Sequence, residues 1–532
     1  MSGEPQFFSG ARMRSRADLE DRVLRAATGL RALGVEAGDA VALLLRNDFA
    51  FFEASYAAVA IGAYAVPVNW HLTAPEVAFV LSDSGARVLV GHGDLIRGVS
   101  AHPDGETVPG IMETAAALGV TVLGVETPPE LRAAYGLDAA LCKLDADLPD
   151  WDAWLTAFAP LGKLSDAVTE TMYYTSGTTG LPKGVRRMPQ TPAAAATFAK
   201  IRDGIYGLAP GIRAIVAGPL YHSAPNSFSL RAARQAACMV LMGRFDAEAF
   251  LALVEEHQIT NAFMVPTMFV RLLKLPAEVR ARYDVSSLSY IMIAAAPCPP
   301  NIKRQMIEWW GPIIHEFYGA TELGYMTVCN AEETLERPGT VGRVTDGTVM
   351  KALDEDGQEV AAGVPGELYG RMAAFPDFTY NNRPDERAAC ERDGLITCGD
   401  VGYFDDEGYL FLCDRTREMV ISGGVNIYPA EIEAVLVGMP GVLDCAVFGI
   451  PDAEFGERLM AIVQPQAQAS EGGLVGGDLD EATVTEYLRP RLAGYKVPRV
   501  IEFRAELPRD DSGKIYKRRL REPYWAGETR RI

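Results

Sequence analysis

Apolar residues recur at helical spacing through Asp18 to Leu33, where Leu19, Val23, Leu24, Ala27, Leu30 and Leu33 share a face and Gly34 ends the run. The segment that follows, Ala40–Leu45, is continuously apolar and predicts a buried strand. The step from helix to strand then repeats. A helix near Phe51–Ile61 precedes a strand at Tyr64–Val68, a helix at Ala74–Ser82 precedes a strand at Ala86–Val90, and further strands read at Ala214–Ala217 and Tyr290–Ala294. This alternation predicts predominantly parallel sheets covered by helices. Phe49–Val68 contains Glu53 as its one charge and imitates a membrane span. It is rich in alanine and broken by Gly62 and Pro67, so a buried helix running into a strand is expected instead.

From Gly339 the texture changes to short strand-like runs separated by turns at Asp354–Gly357, Asp405–Gly408 and Ser422–Gly424, which predicts an antiparallel, β-rich subdomain. Beyond Arg417 the pattern reads helix (Pro429–Val437), strand (Leu443–Ile450), strand (Arg458–Gln464), helix (Asp480–Leu492) and strand (Val500–Phe503), a small α+β unit. A hinge is expected near Arg417, and Ala469–Gly477 reads as a surface loop.

Composition narrows the class. A chain of 532 residues exceeds what one core supports, so two or more domains are expected. With 50 Lys and Arg against 70 Asp and Glu the net charge is -20, which argues against broad binding to nucleic acid or anionic membranes. The 8 cysteines form no CxxC pair and the 6 histidines no HExxH, a pattern that fits reduced thiols in the cytoplasm better than a disulfide framework or a zinc site. Arg12, Arg14 and Arg16 adjoin no apolar core of signal-peptide length, so secretion is not expected.

Candidate chemistry centres on Thr175-Ser176-Gly177-Thr178-Thr179-Gly180-Leu181-Pro182-Lys183-Gly184, which follows the apolar Met172-Tyr173-Tyr174. Glycines let backbone N–H groups turn toward phosphate oxygens, and Lys183 adds a compact positive charge. The order is not that of the P-loop, because Pro182 stands where that motif needs its second glycine. Composition alone also allows a flexible surface turn.

The residue order resembles the phosphate-binding motif of the adenylate-forming superfamily, which includes acyl-CoA synthetases, peptide-synthetase adenylation domains and luciferases. Further stations occur in that family's order: Tyr318-Gly319-Ala320-Thr321-Glu322, Gly366-Glu367-Leu368, Cys398-Gly399-Asp400, Asp414-Arg415-Thr416-Arg417-Glu418 and Ser512-Gly513-Lys514-Ile515. The resemblance covers nearly the whole chain and is weakest at its start and through 95–165. It implies an α/β fold: a large N-terminal domain of layered α/β subdomains with a β-rich subdomain over 1–414, a hinge at 415–418 around Arg417, and a small mobile α+β C-terminal domain at 419–532.

The resemblance also implies roles. Glu322, beside the Thr321 hydroxyl, would hold Mg²⁺ on the nucleotide phosphates, and a hard carboxylate oxygen suits that ion. Asp400 and Arg415 would hold the ribose of ATP. Glu316, Phe317, Tyr318, Gly319 and Ala320, with Ala295, Ala296 and Pro297, would border the nucleotide, and Ser422, Gly423 and Gly424 the pantetheine of CoA. Lys514 corresponds to the lysine that bridges the acid and the α-phosphate, a preorganised contact typically worth ~3–4 kcal/mol. His222, within Gly218-Pro219-Leu220-Tyr221-His222-Ser223-Ala224-Pro225-Asn226, would gate an acyl pocket lined by Tyr221, Phe228, Met264, Ala294, Gly319, Gly324, Tyr325 and Met326. Alanine occupies part of Ala294–Pro297 where the family commonly has glycine.

The activity implied is ligation of a small carboxylic acid to CoA with ATP, by way of an acyl-adenylate. The lining residues are mostly apolar, so an apolar monocarboxylate (fatty, aryl or alicyclic) is expected and a malonate-like acid is not. The alternatives are an enzyme that loads a carrier protein and a non-catalytic nucleotide-binding homologue, with luciferase-like oxidation a remote third. No nucleic-acid partner or integral membrane segment is expected, and a homodimer is left open.

Overall fold

Ser15 begins the first long helix, Arg16–Ala32, by accepting from the Asp18 N–H at 3.1 Å. Asp48 caps the next, Phe49–Ala60, by accepting from the Phe49 N–H at 2.7 Å. This second helix is the apolar stretch that imitates a membrane span. It runs for 12 residues, packs into the core and hands over to the strand Tyr64–Pro67. The computed structural model describes residues 4–98, 110–175, 182–415, 418–422, 425–452, 455–466, 479–509 and 515–526. No described helix is long and apolar enough to cross a membrane.

The strands Tyr64–Pro67, Ala40–Leu44, Ala86–His92 and Thr121–Val125 form a parallel four-stranded sheet in that spatial order. A second parallel run orders Cys238–Leu241, Arg213–Val216, Asn261–Met264, Tyr290–Ile293 and Ile314–Ala320. At Gly324–Cys329 the direction reverses, and the sheet continues antiparallel through Thr340–Val344, Tyr409–Arg415, Leu395–Phe404, Gly366–Met372 and Thr348–Leu353. The antiparallel, β-rich region expected after Gly339 is present and is continuous with the parallel sheet, 14 strands in all among the described residues. Strand periodicity states which face of a strand is buried but not which edge it pairs, and here the open edge of Gly324–Cys329 is covered by Thr340–Val344. A small sheet, Phe378–Tyr380, Lys183–Arg187 and Tyr173–Thr175, lies apart from both.

Beyond residue 418, Val420–Ser422, Val425–Ile427, Val442–Asp452, Gly456–Pro465 and Val500–Phe503 form a five-stranded sheet with the helices Pro429–Val437 and Glu481–Leu488. The last helix is shorter than its periodicity predicts, and Asp480 caps it, accepting from the Thr483 N–H at 2.8 Å. This unit has its own core, with Val420, Ile432, Leu436, Val447, Ala461 and Ile501 at 5% exposure or less. Each such side chain contributes on the order of 1.5–3 kcal/mol of burial, consistent with an independently packed unit. It meets the large domain at Lys274, whose ammonium donates to the Leu443 carbonyl at 3.0 Å, and at Asn69, which lies 3.5 Å from the Tyr516 hydroxyl.

Candidate active site

The reversal of strand direction produces the hairpin that carries Thr321 and Glu322. Gly319 faces Tyr325 and Ala320 faces Gly324, with a register shift between Tyr318 and Gly319. A methyl group at Gly319 would fall on the Gly324 carbonyl oxygen, and Gly324 itself sits at φ +81°, so both positions require glycine. The tightness of this turn aims Thr321 and Glu322 out of the end of the parallel sheet. Ligand sites in α/β sheets collect in this region, beyond the carboxyl ends of the strands.

Two buried carboxylates flank the hairpin. Glu322 accepts from the Tyr380 hydroxyl at 3.0 Å and from the Cys398 thiol at 3.8 Å. Asp400 accepts from the Tyr318 hydroxyl at 2.8 Å, and its backbone pairs with that of Arg415 on the neighbouring strand. Thr321 donates to Ser223 Oγ at 3.1 Å, on the helix Ser223–Ala232 that His222 begins. Behind Thr321, the buried Arg187 guanidinium bonds the Thr321 carbonyl and donates to the Pro376 carbonyl at 2.9 Å. Burial against the Phe375 ring, 3.8 Å away, lowers its pKa to about 10, against the opposing pull of Glu322. Tyr380 and Arg187 thus join the cluster without a motif of their own. Ser223 alone had a signal, its place directly after His222.

Thr175 ends the strand Tyr173–Thr175 and pairs with Lys183, so the phosphate-loop candidate starts and ends on adjacent strands. The Lys183 ammonium is ion-paired with Glu386 and lies 5.0 Å from the Tyr380 ring centre. That contact holds the Glu386 carboxyl below its usual pKa. Ser176, Gly177, Thr178, Thr179, Gly180, Arg417, Gly423, Gly424 and Lys514 lie outside the described residues.

The remaining nucleotide-side candidates divide. Ala295, Ala296 and Pro297 are exposed after the strand Tyr290–Ile293, and Ala295 has φ +77°, a conformation that suits glycine and strains alanine. Glu316 instead turns to the helix Pro300–Trp310, where the buried Lys303 donates to it at 2.6 Å. Phe317 joins an aromatic cluster.

That cluster gathers several of the acyl-pocket candidates. Tyr206 lies 5.5 Å from Phe228, 5.5 Å from Tyr325 and 5.9 Å from Phe317. Phe228, Met264, Ala294, Tyr325 and Met326 are buried with it, and Tyr221 packs against His222 at 4.4 Å between ring centres. The Tyr325 hydroxyl lies 2.8 Å from Ser227 Oγ and donates to Tyr206 Oη at 3.2 Å. Arg202 adjoins Ser227 at 3.5 Å but is engaged by Glu170 at 2.9 and 3.3 Å. Tyr206 and Arg202 come from a segment that no motif marks, whereas Ser227 directly follows the Gly218–Asn226 motif.

An AMP-binding enzyme profile matches residues 3–374, and an AMP-binding enzyme C-terminal domain profile matches residues 431–514. The chain belongs to the AMP-binding enzyme family. It is 36% identical over 510 residues to a feruloyl-CoA synthase of an Amycolatopsis species, with 95% of this chain and 93% of the relative covered. It is 32% identical over 524 residues to a fatty acid–[acyl-carrier-protein] ligase of Streptomyces coeruleorubidus, with 96% and 91% covered. The fold is similar to that of the o-succinylbenzoate CoA synthetase of Bacillus subtilis in complex with its acyl-adenylate intermediate, at TM-score 0.77 and 26% identity, with 97% and 95% covered. This AMP-binding enzyme is accordingly an adenylate-forming acid–CoA ligase with a large N-terminal and a smaller C-terminal domain.

The residues present suit Mg²⁺ carried in on a nucleotide. Among the described residues no group of three or more His, Cys, Asp and Glu side chains is placed to hold a metal, whereas Glu322 offers one buried carboxylate beside the Thr321 hydroxyl. A single carboxylate with phosphate oxygens and water is a usual Mg²⁺ environment.

Proposed function

We propose that this AMP-binding enzyme joins an apolar monocarboxylic acid (fatty, aryl or alicyclic) to CoA, forming AMP and pyrophosphate. The observation that carries this reading is the hairpin, which gathers Thr321, Glu322 and, through Tyr318, Asp400 at one mouth. Asp400 and Arg415 hold the ribose, and the loop from Thr175 to Lys183 holds the phosphates. Glu322 would hold Mg²⁺, which when bound neutralises charge on the leaving pyrophosphate.

In the first half-reaction a carboxylate oxygen of the acid attacks the α-phosphorus, the bond to the bridging oxygen of pyrophosphate breaks, and a mixed anhydride forms. Lys514 stabilises the charge on the α-phosphate oxygens. The small domain then turns about Arg417, the CoA sulfur attacks the acyl carbonyl, the thiol proton is lost and AMP leaves. Ser422, Gly423 and Gly424 border the pantetheine, and His222 gates the pocket.

The buried aromatic wall supports an apolar acid. A second carboxylate would find Arg202 already engaged by Glu170, which disfavours malonate-like acids. The carrier-protein relative favours a second reading, in which the acyl group passes to a phosphopantetheine arm instead of CoA. A pyrophosphate-release screen with ferulate, benzoate, octanoate, dodecanoate and malonate, each with and without CoA, separates the two. Acyl-CoA formed from at least one apolar acid is the expected result. Acyl-AMP that accumulates without ever giving a thioester with CoA would favour the carrier protein, and no pyrophosphate from any acid would sink both readings.

A further inference from the structure

Arg509 and Lys517, on the two sides of Lys514 in the chain, are held in part-buried ion pairs that the reaction itself does not use. At its base Arg509 and Ile515 form an antiparallel bridge, and the Tyr516 N–H donates to the Pro508 carbonyl at 2.8 Å. On the entering side, the Arg509 guanidinium clasps both oxygens of Asp444, on the strand Val442–Asp452. On the leaving side, the Lys517 ammonium lies 2.8 Å from Glu433 Oε1 and 3.0 Å from Oε2, and 3.2 Å from Glu418 Oε2. Glu433 Oε1 also accepts from the Val447 N–H at 2.6 Å, on the strand that bears Asp444. Glu418 adjoins the proposed hinge at Arg417, while Asp414, on the other side of the hinge, accepts from the Ala430 N–H at 3.0 Å and so meets the helix that carries Glu433.

Burying an ammonium with two carboxylates adds little to stability, because desolvation offsets the attraction. What such a cluster gives is direction. The charge-assisted bonds fix three chain segments against one another: the hinge flank, the helix Pro429–Val437 and the start of the helix Lys517–Arg521. Lys517 stands three residues beyond Lys514, so its anchorage limits where the Lys514 ammonium can be delivered.

We propose that Lys517 is a positioning residue for adenylation: by pairing with Glu433 and Glu418 it anchors the chain three residues beyond Lys514. Lys514 acts in the first half-reaction only, so the effect of Lys517 is confined to that step. The inference rests on the proposed role of Lys514, and the test separates the two.

The full-length enzyme is assayed with ferulate, octanoate and dodecanoate in two half-reactions, pyrophosphate release without CoA and thioester formation from the preformed acyl-adenylate. Lys514→Ala is run alongside. Lys517→Met keeps the aliphatic stem and removes the charge. It should slow pyrophosphate release roughly 10- to 100-fold through misplacement of Lys514 and leave thioester formation within about twofold. Lys517→Arg should restore most of the lost rate. Equal loss in both half-reactions, or no loss in either, would overturn the proposal. If Lys517→Met fails to fold, Glu418→Gln and Arg509→Met should show the same one-sided loss, and a balanced loss in either has the same overturning force. If Lys514→Ala is not itself selective for adenylation, the role of Lys514 falls and this inference falls with it. A selective Lys514→Ala beside an unaffected Lys517→Met removes the inference alone.

Discussion

Carboxylates withdrawn from solvent are held in different ways in the two domains. At the hairpin of the large domain Glu322 accepts from the Tyr380 hydroxyl and Asp400 from the Tyr318 hydroxyl, both neutral donors. In the small domain Glu433 meets the Lys517 ammonium. A hydroxyl satisfies a carboxylate's hydrogen bonding without cancelling its charge, whereas an ammonium cancels it. In the second arrangement the charge is spent on holding chain segments together. On the proposed function the first pair of carboxylates belongs to a ligand site and the second acts as a brace.

The strongest way to break this contrast is Glu433→Ala, which leaves Lys517 buried with Glu418 as its remaining carboxylate. A loss of about 3 kcal/mol in denaturant unfolding of the small domain is expected, toward the low end for a broken buried pair. An unchanged midpoint would mean that the ammonium is effectively solvated. Next in size is Gly319→Ala, where the new methyl meets the Gly324 carbonyl. About 2 kcal/mol of stability should be lost by overpacking, together with nearly all pyrophosphate release. Normal activity in that variant would show that the hairpin relaxes freely.

Tyr318→Phe and Tyr380→Phe sharpen the contrast on the ligand side. Each removes one neutral donor and should cost about 1 kcal/mol, seen as a several-fold rise in KM for ATP in the first variant and a similarly raised Mg²⁺ requirement in the second. If both instead lowered only the melting temperature, Glu322 and Asp400 would be braces too.

The smallest effect concerns pH. Burial pushes the Glu433 carboxyl up to about 7 from 4.5, against the opposing pull of Lys517. A carboxyl whose folded pKa is raised contributes stability that is complete below the unfolded value and is lost as pH rises through the folded one. Between pH 6 and 8 the small domain should therefore lose about 1 kcal/mol through this group. Glu433→Gln should flatten that slope, and a slope that persists in the variant would assign it to another residue.

The hairpin of the candidate nucleotide side was legible because it depends on local chain chemistry. Gly319 and Gly324 serve a tight turn, Thr321 and Glu322 follow at fixed spacing, and Asp400 sits in a short motif of its own. Tyr380 and Arg187, which hold that motif from outside, were not legible, since they reach it from a separate three-stranded sheet. Glu316 shows the reverse: it stands beside the motif but turns to Lys303. On the acyl side Tyr325 was visible through its position after the hairpin. Its partners Tyr206, Ser227 and Arg202 come from two helices far away in the chain.

By itself the sequence determined the alternation of helices and strands, the β-rich change after Gly339, the family and the order of its motifs. These follow from periodicity and turn chemistry, which act over a few residues. Tertiary structure alone decided that the β-rich strands extend the parallel sheet, that Lys183 meets Glu386, that Arg202 is neutralised by Glu170, and that Lys517 joins Glu433 to Glu418. Edge pairing and charge pairing depend on which distant surfaces come together, and local spacing carries no record of that.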